Sequence, residues 1–366
     1  MTSENSAEYG RLTPMLADLE ALVRCESPSD DLAACRSVVA LASEIAERVL
    51  GKAAQVKEIE GRPVFWWGAQ EPEIVVLAHL DTVWPHGSYQ PIWQIDGDVL
   101  RGPGTFDMKA GFIQALYALN GIEGSVALIA TTDEETGSHA SEALIKEVSS
   151  KAKAVLVLEA SLDGKVKTGR KGTAMYQIKV RGLASHAGLE PEKGVNSTTE
   201  IAHAILKLSA LENLEHGTTV VPTLLSSGNT TNTVPDLAIL DIDARSFSQA
   251  ELERVDREIK AFASVNPKAE IEVTGGLNRP PLQPASTKAL YERAEKVAAK
   301  LGMPPLGCAE VGGASDGNFA AAAGAQVLDG LGAVGGGAHA PSEWVKVSTM
   351  QERSDFLHAF IQELLS

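Results

Sequence analysis

The residues able to do chemistry sit where short apolar runs stop. Ile74–Ala78 runs into His79-Leu80-Asp81, the run from Val126 to Ala130 leads through two threonines to Asp133-Glu134-Glu135, and Val155–Leu158 ends at Glu159. Short apolar runs bounded by polar groups read as buried strands, and open parallel sheets bind ligands outside the carboxyl ends of their strands. Three strands therefore aim carboxylates and an imidazole at one crevice. His79 and Asp81 are two residues apart, so on an extended strand they share a face, and a carboxylate beside an imidazole fixes the tautomer that frees the other ring nitrogen for a metal. Asp107 lies in the Gly- and Pro-rich segment RGPGTFDMKAG, and His339 in GAVGGGAHAP, where Gly335–Gly337 let the backbone approach a ligand closely. Each signal alone has an ordinary explanation: a satisfied core histidine for His79, a helix N-cap for Asp107, a solvated loop for Glu134 and Glu135. Taken together, two histidines and three or four carboxylates suit a borderline metal such as zinc, held by nitrogen and oxygen. One further carboxylate is left to act as general base. His186 is a third histidine in a special setting, whereas His86, His139, His203, His216 and His358 read as surface or helix-face residues.

The elements that must position these groups follow from periodicity. Residues near 15–50 have helical spacing behind the start signal Ser27-Pro28-Ser29-Asp30-Asp31. Segments 73–81, 125–135 and 153–161 read as strands, with helices at 111–121 and 141–150 between them. Such alternation predicts an α/β fold with a mainly parallel sheet. Past Thr173 the texture changes. Strand 175–182, helix 196–211, strands 218–227 and 237–246, helix 253–264 and strand 269–276 give a β-α-β-β-α-β order, the ferredoxin-like arrangement. The rhythm of the first part resumes after Pro280-Pro281. The expected organisation is a catalytic domain from 1–172 and 281–366, interrupted by an inserted α+β domain at 173–280.

Composition narrows the function. Forty-eight acidic against thirty-two basic residues leave a net charge of −16, which repels phosphate backbones and argues against nucleic acid or an anionic membrane as partner. No apolar run approaches the roughly 18–20 residues of a membrane helix. The polar start MTSENSAEYG shows no secretory signal, and a cytoplasmic place is expected. Three cysteines without a CxxC pattern exclude a disulfide scaffold and a thiolate zinc site. Two other classes compete with a metal hydrolase. Gly313-Ala314-Ser315-Asp316-Gly317 fits a GxSxG elbow, with Asp329 and His339 in the order of a serine hydrolase, but the preceding GCAEVG is a poor strand. A non-catalytic binding protein on an enzyme-like fold predicts gaps in the ligand set, and none is seen.

The motifs HLDTVW (79–84), GPGTFDMKAG (102–111), TTDEETGS (131–138), LEAS (158–161), ASHAG (184–188) and GGAHAPSEWV (336–345) resemble, in order, those of the two-zinc metallopeptidases. That family includes aminoacylases, acetylornithine and succinyl-diaminopimelate deacylases and glutamate carboxypeptidase, and the nearest likeness is to the last branch. The resemblance implies a zinc metallopeptidase or amidohydrolase that releases an amino acid with a free α-carboxylate from a small peptide, or alternatively deacylates an N-acyl amino acid. It implies two Zn²⁺ about 3.5–4 Å apart, with Co²⁺ or Mn²⁺ suited to the same ligands. His79 and Glu159 would hold one ion, Glu135 and His339 the other, with Asp107 between them and the Asp107–Met108 peptide in cis. Asp81 would orient His79, Glu134 would be the general base, and His186 would polarise the scissile carbonyl. Arg245 and Asn232 would contact the substrate, as would Lys165 and the turn containing Gly313 and Ser315. The inserted domain would act as a lid and build a homodimer, with His186 able to serve the neighbouring subunit.

Overall fold

The computed structural model describes residues 10–366. Two compact units divide them, the first containing the chain up to Gly169, Gln283–Val311 and Ser315–Ser366, the second Arg170–Leu282 with Gly312–Ala314.

The first unit is built on a six-stranded sheet. Its spatial order is Gln55–Ile59, Arg62–Gly68, Val126–Thr131, Ile74–His79, Ala154–Val157 and Val327–Leu328. The last four strands run parallel. Ile74–His79 and Val126–Thr131 are buried along their whole length, as expected where helices cover both faces of a parallel sheet. The sheet is mixed rather than wholly parallel: Gln55–Ile59 and Arg62–Gly68 form an antiparallel hairpin at one edge. Its two-residue turn, Glu60-Gly61, has both φ values positive, at 49° and 82°, the geometry that matches strand twist. Helix Leu32–Leu50 starts at Asp31, whose carboxylate accepts the Ala33 and Ala34 amides. Helix Ala110–Leu119 is buried on every side, and Phe112 meets Phe65 of the sheet edge-on at 5.1 Å. No helix among the described residues is long and apolar enough to cross a membrane.

The second unit is a four-stranded antiparallel sheet in the order Thr219–Ser227, Leu237–Ser246, Gly172–Arg181, Glu270–Arg279. Alternate residues Ala174, Tyr176, Ile178 and Val180 face a core with Ile201 and Leu208 of helix Ser197–Ser209 and with Leu252, Val255 and Ile259 of helix Gln249–Lys260. Those helices are capped by Asn196 and Ser248.

Candidate metal centre

Five segments of the first unit deliver their carboxylates and imidazoles to one place. His79 ends its strand with the ring fully buried. Its Nδ1 lies 3.1 Å from the Asp81 carbonyl and 3.4 Å from the Asp81 carboxylate, so in the neutral ring Nδ1 carries the proton and Nε2 offers a lone pair. Nε2 faces Asp107 Oδ1 at 3.3 Å and Glu159 Oε1 at 3.6 Å. On the other side, His339 Nε2 lies 3.3 Å from Asp107 Oδ2 and 3.0 Å from Glu135 Oε2. The two oxygens of Asp107 are thus shared out, one to each imidazole. Glu134 completes the group, with a carboxylate oxygen, a Glu159 oxygen and a His79 ring nitrogen all within 4.8 Å of one another. Two imidazoles and four carboxylates, most of them buried, form a donor set of the kind that fits divalent cations once the rings are deprotonated.

Local backbone explains the convergence. Asp107 does not cap a helix: it lies in the irregular turn Thr105–Lys109, ahead of helix Ala110–Leu119, and the Asp107–Met108 peptide is cis. Gly104, at φ 67°, opens that turn, in a region an L-residue with a Cβ rarely enters. His339 itself holds a positive φ of 61°, uncommon for a residue with a Cβ and concentrated at functional sites. Glu134 and Glu135 start a short 3-10 turn after strand Val126–Thr131. That turn is tied down because Asp133 Oδ2 accepts the Ala140 and Ser141 amides, and Asp316 accepts the Thr131 and Ser138 hydroxyls. Asp81 is fully buried and accepts the Ser29 hydroxyl at 2.7 Å and the Glu135 amide at 3.2 Å. Sequence reasoning missed Ser29, and also Glu343, whose buried carboxylate receives the amides of Phe106 and Asp107.

Electrostatics in the cluster favour bound protons whenever no cation is present. Burial disfavours a charged His79 ring, yet the bonds to Asp107 and Asp81 and nearby negative charge hold its pKa well above the ordinary value. His339 is pushed up to about 10 by its bonds to Asp107 and Glu135, against burial. Burial raises Glu135 to about 7, and the Asp107 charge adds to this while the imidazoles oppose it. Cations bind deprotonated ligands, so they must displace these protons. Adding Zn²⁺ to demetallated protein at pH 7 in dilute buffer is expected to release more than one proton per chain. The sign for stability follows from linkage. Glu135 has a folded pKa above its unfolded 4.5, so its contribution in the metal-free fold is lost as pH rises from 4.5 through about 7. The His339 contribution is present below 6.5 and lost as pH rises through about 10. The rise in Tm on adding Zn²⁺ should therefore be larger at pH 8 than at pH 6. Equal shifts at both values would show that the cluster is not where the ions bind.

The remaining sequence-predicted residues divide. In the second unit, strand Ser185–His186 pairs with Thr233–Val234, and the Asn232 carbonyl accepts the Ala187 amide at 2.9 Å, so His186 and Asn232 are brought together. His186 Nδ1 accepts the Gly188 and Leu189 amides, both at 3.1 Å, which leaves the ring proton on Nε2 as an outward donor. Arg245 is already gripped: Nε and Nη2 donate to Asp243 at 2.8 and 3.0 Å, and Nη1 donates to the Gly312 carbonyl at 3.3 Å. Gly313 uses its carbonyl to accept from Arg170. Lys165 is exposed and lines a cleft with Met303, Leu306, Gly307 and Arg353, a cleft that includes none of the five proposed ligands. Ser315 is fully buried. Its hydroxyl donates to Asp329 at 2.6 Å and accepts the Gly317 amide, capping helix Asp316–Ala322. The hydroxyl is thus spent inside the protein, which leaves the serine-hydrolase reading without a free nucleophile. His339, the third member of the serine-hydrolase reading, is engaged with Asp107 and Glu135 instead.

Residues 75–363 match the model of peptidase family M20/M25/M40. The chain belongs to this family. It is therefore a metal-dependent hydrolase, a peptidase or an amidohydrolase. Carboxypeptidase G2 of Pseudomonas sp. (strain RS-16) is 29% identical over 80% of this chain and 74% of its own length. A succinyl-diaminopimelate desuccinylase of Marinobacter nauticus is 27% identical over 97% of this chain and all of its own. Among solved structures, an M20 family metallo-carboxypeptidase from Sulfolobus solfataricus superposes with a TM-score of 0.74 at 19% identity, covering 96% of this chain and 99% of that one, a likeness of fold.

Proposed function

We propose that the protein is an exopeptidase of the glutamate carboxypeptidase type, cleaving an amide bond to release an amino acid with a free α-carboxylate. The observation that carries this reading is the sharing of the two Asp107 oxygens between His79 and His339, an arrangement suited to two Zn²⁺. His79 and Glu159 would hold one ion and Glu135 and His339 the other. Bound there, such ions supply Lewis acidity that acidifies a water and polarises the scissile carbonyl. Glu134 takes the proton of the attacking water and returns it to the leaving nitrogen. Asp81, through its carbonyl and carboxylate, keeps His79 in the tautomer with Nε2 free.

Two roles fall to the second unit in this reading. His186 offers Nε2–H to the carbonyl oxygen as negative charge develops on it. Arg245 has five N–H donors; with Nε, Nη2 and Nη1 each giving one to Asp243 or Gly312, one on Nη1 and one on Nη2 remain for a substrate carboxylate. Asn232, beside His186, adds a further contact. Arg245→Ala should chiefly raise KM, because it grips a group that does not react. His186→Ala should chiefly lower kcat, because oxyanion charge appears only in the transition state. The reading includes a homodimer built through the second unit, and activity regained by mixing His186→Ala and Glu134→Gln subunits would place His186 in its partner's site.

The likeness to a succinyl-diaminopimelate desuccinylase over nearly the whole chain favours a second reading on the same site, deacylation of an N-acyl amino acid. Release of free amino acid from a panel of peptides ending in glutamate, folyl compounds and N-acyl amino acids, with and without added Zn²⁺, separates the two. Release from no member of the panel at any metal level would remove both.

A further inference from the structure

We infer that Glu343 is a positioning residue that fixes the carboxylate of Asp107 against His339, an inference that rests on the two-cation reading above. Glu343 is fully buried, and its carboxylate is enclosed by N–H donors. Oε1 accepts the Phe106 amide at 2.8 Å and the Asp107 amide at 3.1 Å; Oε2 accepts the Gly104 amide at 3.0 Å and the Trp84 indole at 3.0 Å. Its main chain is held as firmly, with the carbonyl accepting the Tyr89 hydroxyl at 3.0 Å and the amide donating to the Ala340 carbonyl at 2.9 Å. The Ala340 amide in turn closes onto Gly337 at 2.9 Å, around His339. Trp84 and Tyr89 brace each other edge-to-face, centroids 4.9 Å apart.

One side chain thereby ties together three loops: the one that follows strand Ile74–His79, the one that carries Asp107, and the one that carries His339. An irregular turn such as Thr105–Lys109 has few ladder bonds to hold it, and buried amides need partners. Glu343 supplies three of them from a residue four positions beyond His339. The distance between a shared ligand and a terminal ligand is thus set by one carboxylate that itself faces neither imidazole.

Glutamine has the same shape but only one acceptor oxygen. Whichever way its amide turns, the NH₂ meets two of the four N–H donors. Titration of demetallated protein with Zn²⁺, and with Co²⁺ followed by its visible absorption, gives the affinity of each ion without any activity assay. In Glu343→Gln at least one ion is expected to bind 10–100-fold more weakly, with an altered Co²⁺ spectrum, while the circular dichroism of the metal-free protein is kept. Adding Trp84→Phe to Glu343→Gln removes one of the opposing donors and should restore part of the affinity. Should Glu343→Gln fail to fold, Trp84→Phe alone carries the test, with a smaller loss of affinity expected. Wild-type affinity and spectrum in whichever variants fold would overturn the inference by itself. Uptake of fewer than two ions by the wild-type chain would instead bring down the two-cation reading, and this inference with it.

Discussion

Glu134→Gln lowers turnover by about 10²–10⁴-fold, the usual contribution of a positioned general base, while zinc content stays at the wild-type level. That is the expected result, and it follows from what the substitution changes. Glutamine keeps the volume of a side chain that is almost wholly buried beside His79 and Glu159, so the ligands keep their places. What disappears is an atom able to take a proton from water and hand it to a leaving nitrogen. The same geometry also makes Glu134 a conceivable ligand, since its oxygen lies in a trio with His79 and Glu159. Assaying metal by elemental analysis beside kcat separates the roles. A parallel loss of one ion and of activity would make Glu134 a ligand and leave the base unassigned. Full activity with both ions present would remove it from the chemistry.

The strands that carry the cluster were readable because a parallel strand covered on both faces must be apolar throughout. Ile74–His79 and Val126–Thr131 therefore announce themselves, and the polar residues at their ends mark the crevice. The edge hairpin Gln55–Gly68 lacked that signature: Gln55–Ile59 is mostly exposed and mixed in character, and only the Glu60-Gly61 turn hints at it. Asp107 had two readings in sequence, helix cap or metal ligand, because a loop without periodicity does not say where a side chain points. The structure rules out the cap. Ser315 shows the opposite failure, since five residues matched a nucleophile motif that the fold uses as a helix cap bonded to Asp329. The Asp243–Arg245 pair was legible in principle, as residues two apart on a strand share a face. Glu343 was not, because a carboxylate that accepts main-chain amides answers to no side-chain pattern.

Asp107 offers the sharpest test of the pairing itself. Each imidazole faces a different Asp107 oxygen, so Asp107→Asn, which keeps the shape but removes the shared charge, should weaken both ions at once. Glu159→Gln should weaken chiefly the ion at His79, and Glu135→Gln chiefly the ion at His339, because Glu159 lies 3.6 Å from the His79 ring and Glu135 3.0 Å from the His339 ring. The loss in Asp107→Asn should exceed the roughly 10–100-fold typical of an outer hydrogen-bonding partner, and activity should fall with the metal. A second readout needs no metal. The bond to Asp107 is the largest cause of the raised His339 pKa, and the largest of those that raise His79. In demetallated Asp107→Asn both rings should therefore titrate nearer the ordinary 6.5 when followed by NMR, and Zn²⁺ should displace fewer protons at pH 7. Retention of two tightly bound ions together with unmoved imidazole titrations would show that Asp107 neither joins the two halves nor sets their charge, and the site would have to be rebuilt around Glu134 and Glu159.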